Sequence, residues 1–259
     1  MTLAAFPHDP WFYAIGFLAT FLMGLGKGAF GGGLAILGIP LLALTMEPIP
    51  AAVVTALLVA FMDFFALGSF PRSAWSKPDL VWLIPGLIGG LFVGFLVFEL
   101  VDKRWVALVI ALITLGYTVR YFVRPASAAP DISVSPGFAL VASAGAGFTT
   151  YVAHAGGPPL AMYLLRRDLT KSAYAATTIV VFTIGNLIKL PGYVYTGLDT
   201  PEVFTQALAL APMVPVGVLI GRRLHDSLPR EKLYGLCYAL VGLAGAKLLW
   251  DAVRALITP

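Results

Sequence analysis

Apolar blocks of about twenty residues recur along the whole chain, as in the stretch AAVVTALLVAFMDFFALGSF at 51–70. A helix needs about 20 apolar residues to cross the hydrocarbon core of a bilayer. Lipid offers backbone groups no hydrogen-bond partner, so a continuously apolar block must be helical. Candidate spans fall at 51–70, 80–100, 104–123, 172–190, 202–221 and 232–253. Only 12% of the residues are charged, against about 25% in soluble domains. With a mean hydropathy of +0.89, the composition excludes an ordinary soluble fold. The net charge of +4 sits mostly in short loops, which fits membrane orientation and not nucleic-acid binding. The lone Cys237 excludes an internal disulfide framework and reads as apolar filler. The start MTLAAFPHDP lacks a basic region and a cleavage site, so a removable signal peptide is not expected.

Two segments, 11–46 and 136–165, are too long for one span and are broken inside. The first breaks at GKGAFGGG, Gly26 to Gly33; the second at TTYVAHAGGPP, Thr149 to Pro159. Each is followed by three ordinary spans. The chain thus reads as one transporter domain, 1–259, built from repeat 1 (11–123), a linker (124–135) and repeat 2 (136–254). If each broken segment crosses once, seven Lys and Arg face one side and nine the other. If each returns to its own side, the split is eleven against five. The second arrangement obeys the positive-inside rule. It makes the fold class an all-α polytopic membrane protein of two inverted repeats, each a broken or re-entrant helix pair plus three transmembrane helices. It also puts both termini on the non-cytoplasmic side of the plasma membrane, the inner membrane of a bacterium.

Irregular backbone at membrane depth must be buried in protein or line a wet cavity. Glycine loops feeding helix N-termini offer backbone donors to an anion. On this ground the candidate substrate-binding residues are Gly26, Lys27, Gly28, Gly31, Gly32 and Gly33 in the first break, and Thr149, Thr150, Tyr151, His154, Gly156 and Gly157 in the second. Lys27 is an ionisable group in an apolar segment, functional by default; the alternative is a structural ion pair with Asp63. Asp63 is a candidate proton carrier or counter-charge to Lys27. Asn186 is deep enough to face a cavity, whereas Lys189 near the end of its span reads as a snorkelling lysine. A nucleotide loop is rejected: Lys27 is followed by Gly28 and not by Ser or Thr, and no strand precedes it. The three histidines are far apart, no metal-ligand cluster appears, and no nucleophile or acid pair supports an enzyme. No cofactor is called for.

The run GLGKGAFGGGLAILGIPLL followed by PAAVVTALLVAF resembles the glycine-rich signature of the sulfite exporter TauE/SafE family, within the 4-toluene sulfonate uptake permease superfamily. The resembling features are Gly31-Gly32-Gly33, Pro40 and Ala52 to Thr55, with HAGGPPLAMYLL and AYAATTIVVF as the second copy. The resemblance covers nearly the whole chain. It implies a transporter of small sulfur-containing anions such as sulfite, sulfoacetate or other organosulfonates. Lys27 inside the run and His154 in the second break are not general features of that resemblance.

The leading expectation is therefore a secondary transporter, an exporter working by alternating access, with proton coupling through Asp63 as an extension. A passive anion channel is the alternative, since a positive constriction suits both. The expected partners are a small anionic substrate and the lipid bilayer, with a homo-oligomer left open and no nucleic acid.

Overall fold

The computed structural model describes residues 6–32, 34–97, 135–153, 156–195 and 200–257, with scattered helical positions between 105 and 123. Among the described residues every regular element is a helix. In chain order these are α1 (Pro10–Phe30), α2 (Gly38–Leu42), α3 (Pro48–Ser69), α4 (Lys77–Val97), α5 (Pro136–Ala153), α6 (Gly157–Leu164), α7 (Lys171–Tyr195), α8 (Pro201–Leu210), α9 (Met213–Ser227) and α10 (Arg230–Ile257), with 3₁₀ turns at Leu34–Leu37 and Arg72–Ala74. Four helical stretches, Pro10–Phe30, Pro50–Ser69, Lys77–Leu96 and Lys171–Pro191, are long and apolar enough to cross a membrane. The expected span 202–221 is not one straight helix: α8 and α9 meet at a 44° bend, where Pro212 and Pro215 remove backbone donors. Half of 104–123 and nearly all of the linker lie outside the described residues.

The chain divides into two compact units that interleave in sequence. The first comprises residues 1–74 and 175–228, the second 75–174 and 229–259. In the first unit α1 lies along α8 and α9. Gly16 faces Leu210, Gly24 faces Gly217, and Gly28 faces the backbone of Val218 and Arg222. The register rises on both sides, so the helices run parallel. Their ends are tied together: His225 Nδ1 donates to the Ala29 carbonyl at 2.8 Å, and its ring meets Phe70, just past α3, edge-on at 5.1 Å. The Arg222 guanidinium lies 4.2 Å over the Phe70 ring. Helices α1, α3 and α9 thus finish at the same end, and Gly38 in α2 packs beside Met23 and Thr55, part-way along α1 and α3.

The second unit repeats this pairing with α4 and α5. Gly86 faces Leu140 and Ser143, Gly90 faces Ala144, and Gly147 faces Leu87 and Leu91, again in parallel. Small residues let helix backbones approach closely where lipid gives no hydrophobic driving force between helices. At the start of α4, the buried Asp79 accepts from Ser76 Oγ at 2.6 Å and Tyr163 Oη at 2.5 Å and pairs with Arg167 Nε at 3.0 Å. Arg166 lies 5.2 Å over the ring of Phe138, near the start of α5. The residues after α6 are therefore back beside the start of α5.

Candidate functional site

The first break begins later than the glycines suggest. Helix α1 continues through Gly24, Gly26, Lys27 and Gly28 to Phe30. It stops at Gly31, whose φ of 76° is left-handed, with Gly32 at 153°. Gly31 N–H donates to the Lys27 carbonyl at 3.0 Å and Gly32 N–H to the Gly26 carbonyl at 3.2 Å, closing the helix with a Schellman-type cap. The expected loop of open backbone donors at Gly26, Gly28, Gly31 and Gly32 is thus replaced by helix and cap. Tertiary packing outweighs the poor helix propensity of glycine, because only a bare Cα lets α1 meet α9 at Gly24 and Gly28. Gly33 lies outside the described residues.

Lys27 lies buried in the last turn of α1. Its Nζ lies 2.5 Å from Asp63 Oδ1 on α3, and both side chains are 3% exposed. Asn186 Nδ2 on α7 donates to the other oxygen of Asp63 at 2.8 Å, and the Phe182 ring lies 5.7 Å from Lys27 Nζ. Three helices thus converge on one carboxylate. Helix α7 passes the end of α1, with Ala175 and Thr178 against Gly31 and Phe182 against Gly32. A Cβ at Gly31 would collide with the Ala175 carbonyl and the Thr178 side chain, so the cap also sets the approach of α7.

The sequence reading passed over Lys189. It is buried, three positions after Asn186 and on the same face of α7. Its burial does not fit a snorkelling lysine, whose head group reaches water. The Asn186–Lys189 spacing was the available signal.

The candidates of the second break belong to the second unit. Thr149, Thr150 and Tyr151 are helical, in the last turns of α5. Both threonines are buried, and Thr149 Oγ1 donates to the Ala146 carbonyl at 3.3 Å. Tyr151 meets Phe95 edge-on at 6.0 Å. Gly156 caps α6 and Gly157 opens it, with no side-chain cap. His154 lies outside the described residues. Among the described residues no group of His, Cys, Asp and Glu could hold a metal ion.

A family model, described as sulfite exporter TauE/SafE, matches residues 16–248. The chain belongs to the sulfite exporter TauE/SafE family. No curated protein and no solved structure matches it. TauE/SafE membership, together with the apolar helices, makes this an integral multi-pass membrane protein of a transporter family, whose implied cargo is sulfite or a related anion.

Proposed function

We propose that the protein is a secondary transporter exporting small sulfur-containing anions such as sulfite, sulfoacetate or other organosulfonates, and that Lys27, Asp63 and Asn186 form its substrate site. The observation that carries this reading is the buried Lys27–Asp63 pair with Asn186 on its second oxygen. A hydrophobic fold gains little from a buried ion pair, because desolvating both charges offsets their attraction. Intramembrane ionisable groups mark substrate or ion pathways. A bound oxyanion would be held by the same donors that now hold Asp63. The glycines of the first break serve this site through packing and capping, and Thr149, Thr150, Tyr151, His154, Gly156 and Gly157 of the second break stand as separate candidates.

Several correspondences support a duplicated, inverted architecture. Thr20 donates to the carbonyl of Gly16, and Ser143 to that of Ala139, each at 2.8 Å. The two hydroxyls are 123 positions apart, as are Gly24 and Gly147, and as are Asp63 and Asn186. By that spacing Lys27 corresponds to Thr150. The partner helices match at another spacing: Pro85, Gly90 and Gly94 against Pro212, Gly217 and Gly221. In each unit the glycine-rich helix of one half packs on the partner helix from the other half. The shared ends of α1, α3 and α9, and the return of α6 to the start of α5, support re-entrant segments and, with the charge count, non-cytoplasmic termini. Alternating access suits a chain made of two compact units.

The test is efflux from proteoliposomes loaded with sulfite or sulfoacetate, with and without an imposed proton gradient. Saturable efflux is expected, reduced at least about tenfold by Lys27→Ala, a loss of about 1.4 kcal/mol or more in transport free energy. Acceleration by the gradient that disappears in Asp63→Asn supports proton coupling. Non-saturable flux would favour a channel, and a chemically altered product would overturn the carrier reading.

A further inference from the structure

The Asp63 carboxylate sits where an anion would. Lys27 Nζ on α1 is 2.5 Å from Oδ1, and Asn186 Nδ2 on α7 donates to Oδ2 at 2.8 Å. A cation and an amide donor converging from two helices make a receptor for a pair of neighbouring anionic oxygens. The carboxylate fills that receptor incompletely: Oδ1 is buried and draws Lys27 by charge, yet makes no hydrogen bond among the described residues. The Phe182 ring lies 5.7 Å from Lys27 Nζ, so the ammonium keeps one attractive neighbour when the carboxylate leaves. With no anion at all, Lys27 would be a stranded charge among apolar helices.

We infer that Asp63 is the resident ligand of this site: its carboxylate occupies the place of the cargo's anionic group, and cargo binds by displacing it from Lys27 and Asn186. The inference rests on the anion-carrier reading above and names how that site is regulated. Between transport events Asp63 keeps Lys27 paired. A sulfonate or sulfite presents neighbouring anionic oxygens and engages both donors in its turn. The apparent affinity is then the intrinsic one reduced by the fraction of time the site stands open. When cargo leaves, Asp63 closes back on both donors and prevents rebinding. Asp63 thus weakens binding and quickens turnover. A carboxylate that only balanced Lys27 from outside the path would repel cargo without exchanging places with it.

The experiment compares the full-length wild type with Asp63→Asn, which keeps the size of the side chain and removes its claim on Lys27. Calorimetry measures methanesulfonate binding, and proteoliposomes measure its efflux with no imposed proton gradient and at matched ionic strength. Asp63→Asn is expected to bind methanesulfonate at least tenfold tighter. Its efflux is expected to saturate at lower concentration, with a maximal rate at least tenfold slower, because tighter binding is mostly slower release. If Asp63→Asn fails to fold, infrared difference spectroscopy of the wild type with isotope-labelled aspartate reads the same step: methanesulfonate is expected to shift an aspartate carboxylate band. Unchanged or weaker binding in Asp63→Asn, tighter binding with undiminished efflux, or aspartate bands that methanesulfonate leaves in place would each overturn the resident-ligand inference while leaving an anion carrier standing. A wild type that binds no methanesulfonate and shows no efflux of methanesulfonate, sulfite or sulfoacetate would overturn the carrier reading, and this inference with it.

Discussion

A lysine ammonium buried among membrane helices is costly unless a counter-charge meets it, and Lys27 meets Asp63 at 2.5 Å. Breaking such a pair from one side strands the other charge. Lys27→Met is therefore expected to destabilise the protein by about 3–5 kcal/mol. The double variant Lys27→Met with Asp63→Leu, which leaves no charge stranded, should recover most of that loss. Thermal unfolding in detergent checks both, and a double variant no more stable than the single would show that the pair is not the source of the cost. Asp79 presents the same physics in the second unit, where Ser76, Tyr163 and Arg167 all converge on it. Sequence showed Lys27 and Asp63 as misplaced charges in apolar blocks. It did not show that Lys189 is buried, because a lysine near a span end looks alike whether it reaches toward the headgroups or turns inward.

At the scale of elements, the parallel pairs α1 with α9 and α4 with α5 depend on bare Cα atoms at their crossing points. A Cβ on Gly28 would run into the Val218 carbonyl, whereas one on Gly68 would meet nothing within 4 Å. Gly28→Val is thus expected to cost at least about 1–3 kcal/mol through overpacking. Gly68→Ala should be neutral or stabilising by up to about 1 kcal/mol, since glycine is a poor helix former. Comparing the two melting temperatures checks this, and equal effects would mean that the close approach of α1 and α9 contributes little. The same glycines explain why the first break was legible only in part. GLGKG has a loop composition, and local propensity cannot reveal that a second helix holds it helical.

Over the whole molecule, the arginines give the most direct handle. Arg72 and Arg222 lie at the end where α1, α3 and α9 finish, and Arg166 and Arg167 return to the start of α5. The re-entrant reading counts all four among the eleven Lys and Arg of one side. A reporter fused after Pro259 is expected to be active only on the non-cytoplasmic face. A cytoplasmic signal would contradict the re-entrant arrangement. The division into two units was not legible in the chain order, because each unit draws helices from both halves.

The sequence by itself determined that the chain is a bundle of membrane helices and that two segments break. Those properties follow from transfer energies and backbone propensity, which act residue by residue. Tertiary structure decided the rest. It placed Asn186 on Asp63 from 123 residues away, buried Lys189, and turned a glycine loop into a packed helix ended by a left-handed cap at Gly31. These depend on which helix meets which, and at what register, so the same residues read in isolation permit several answers.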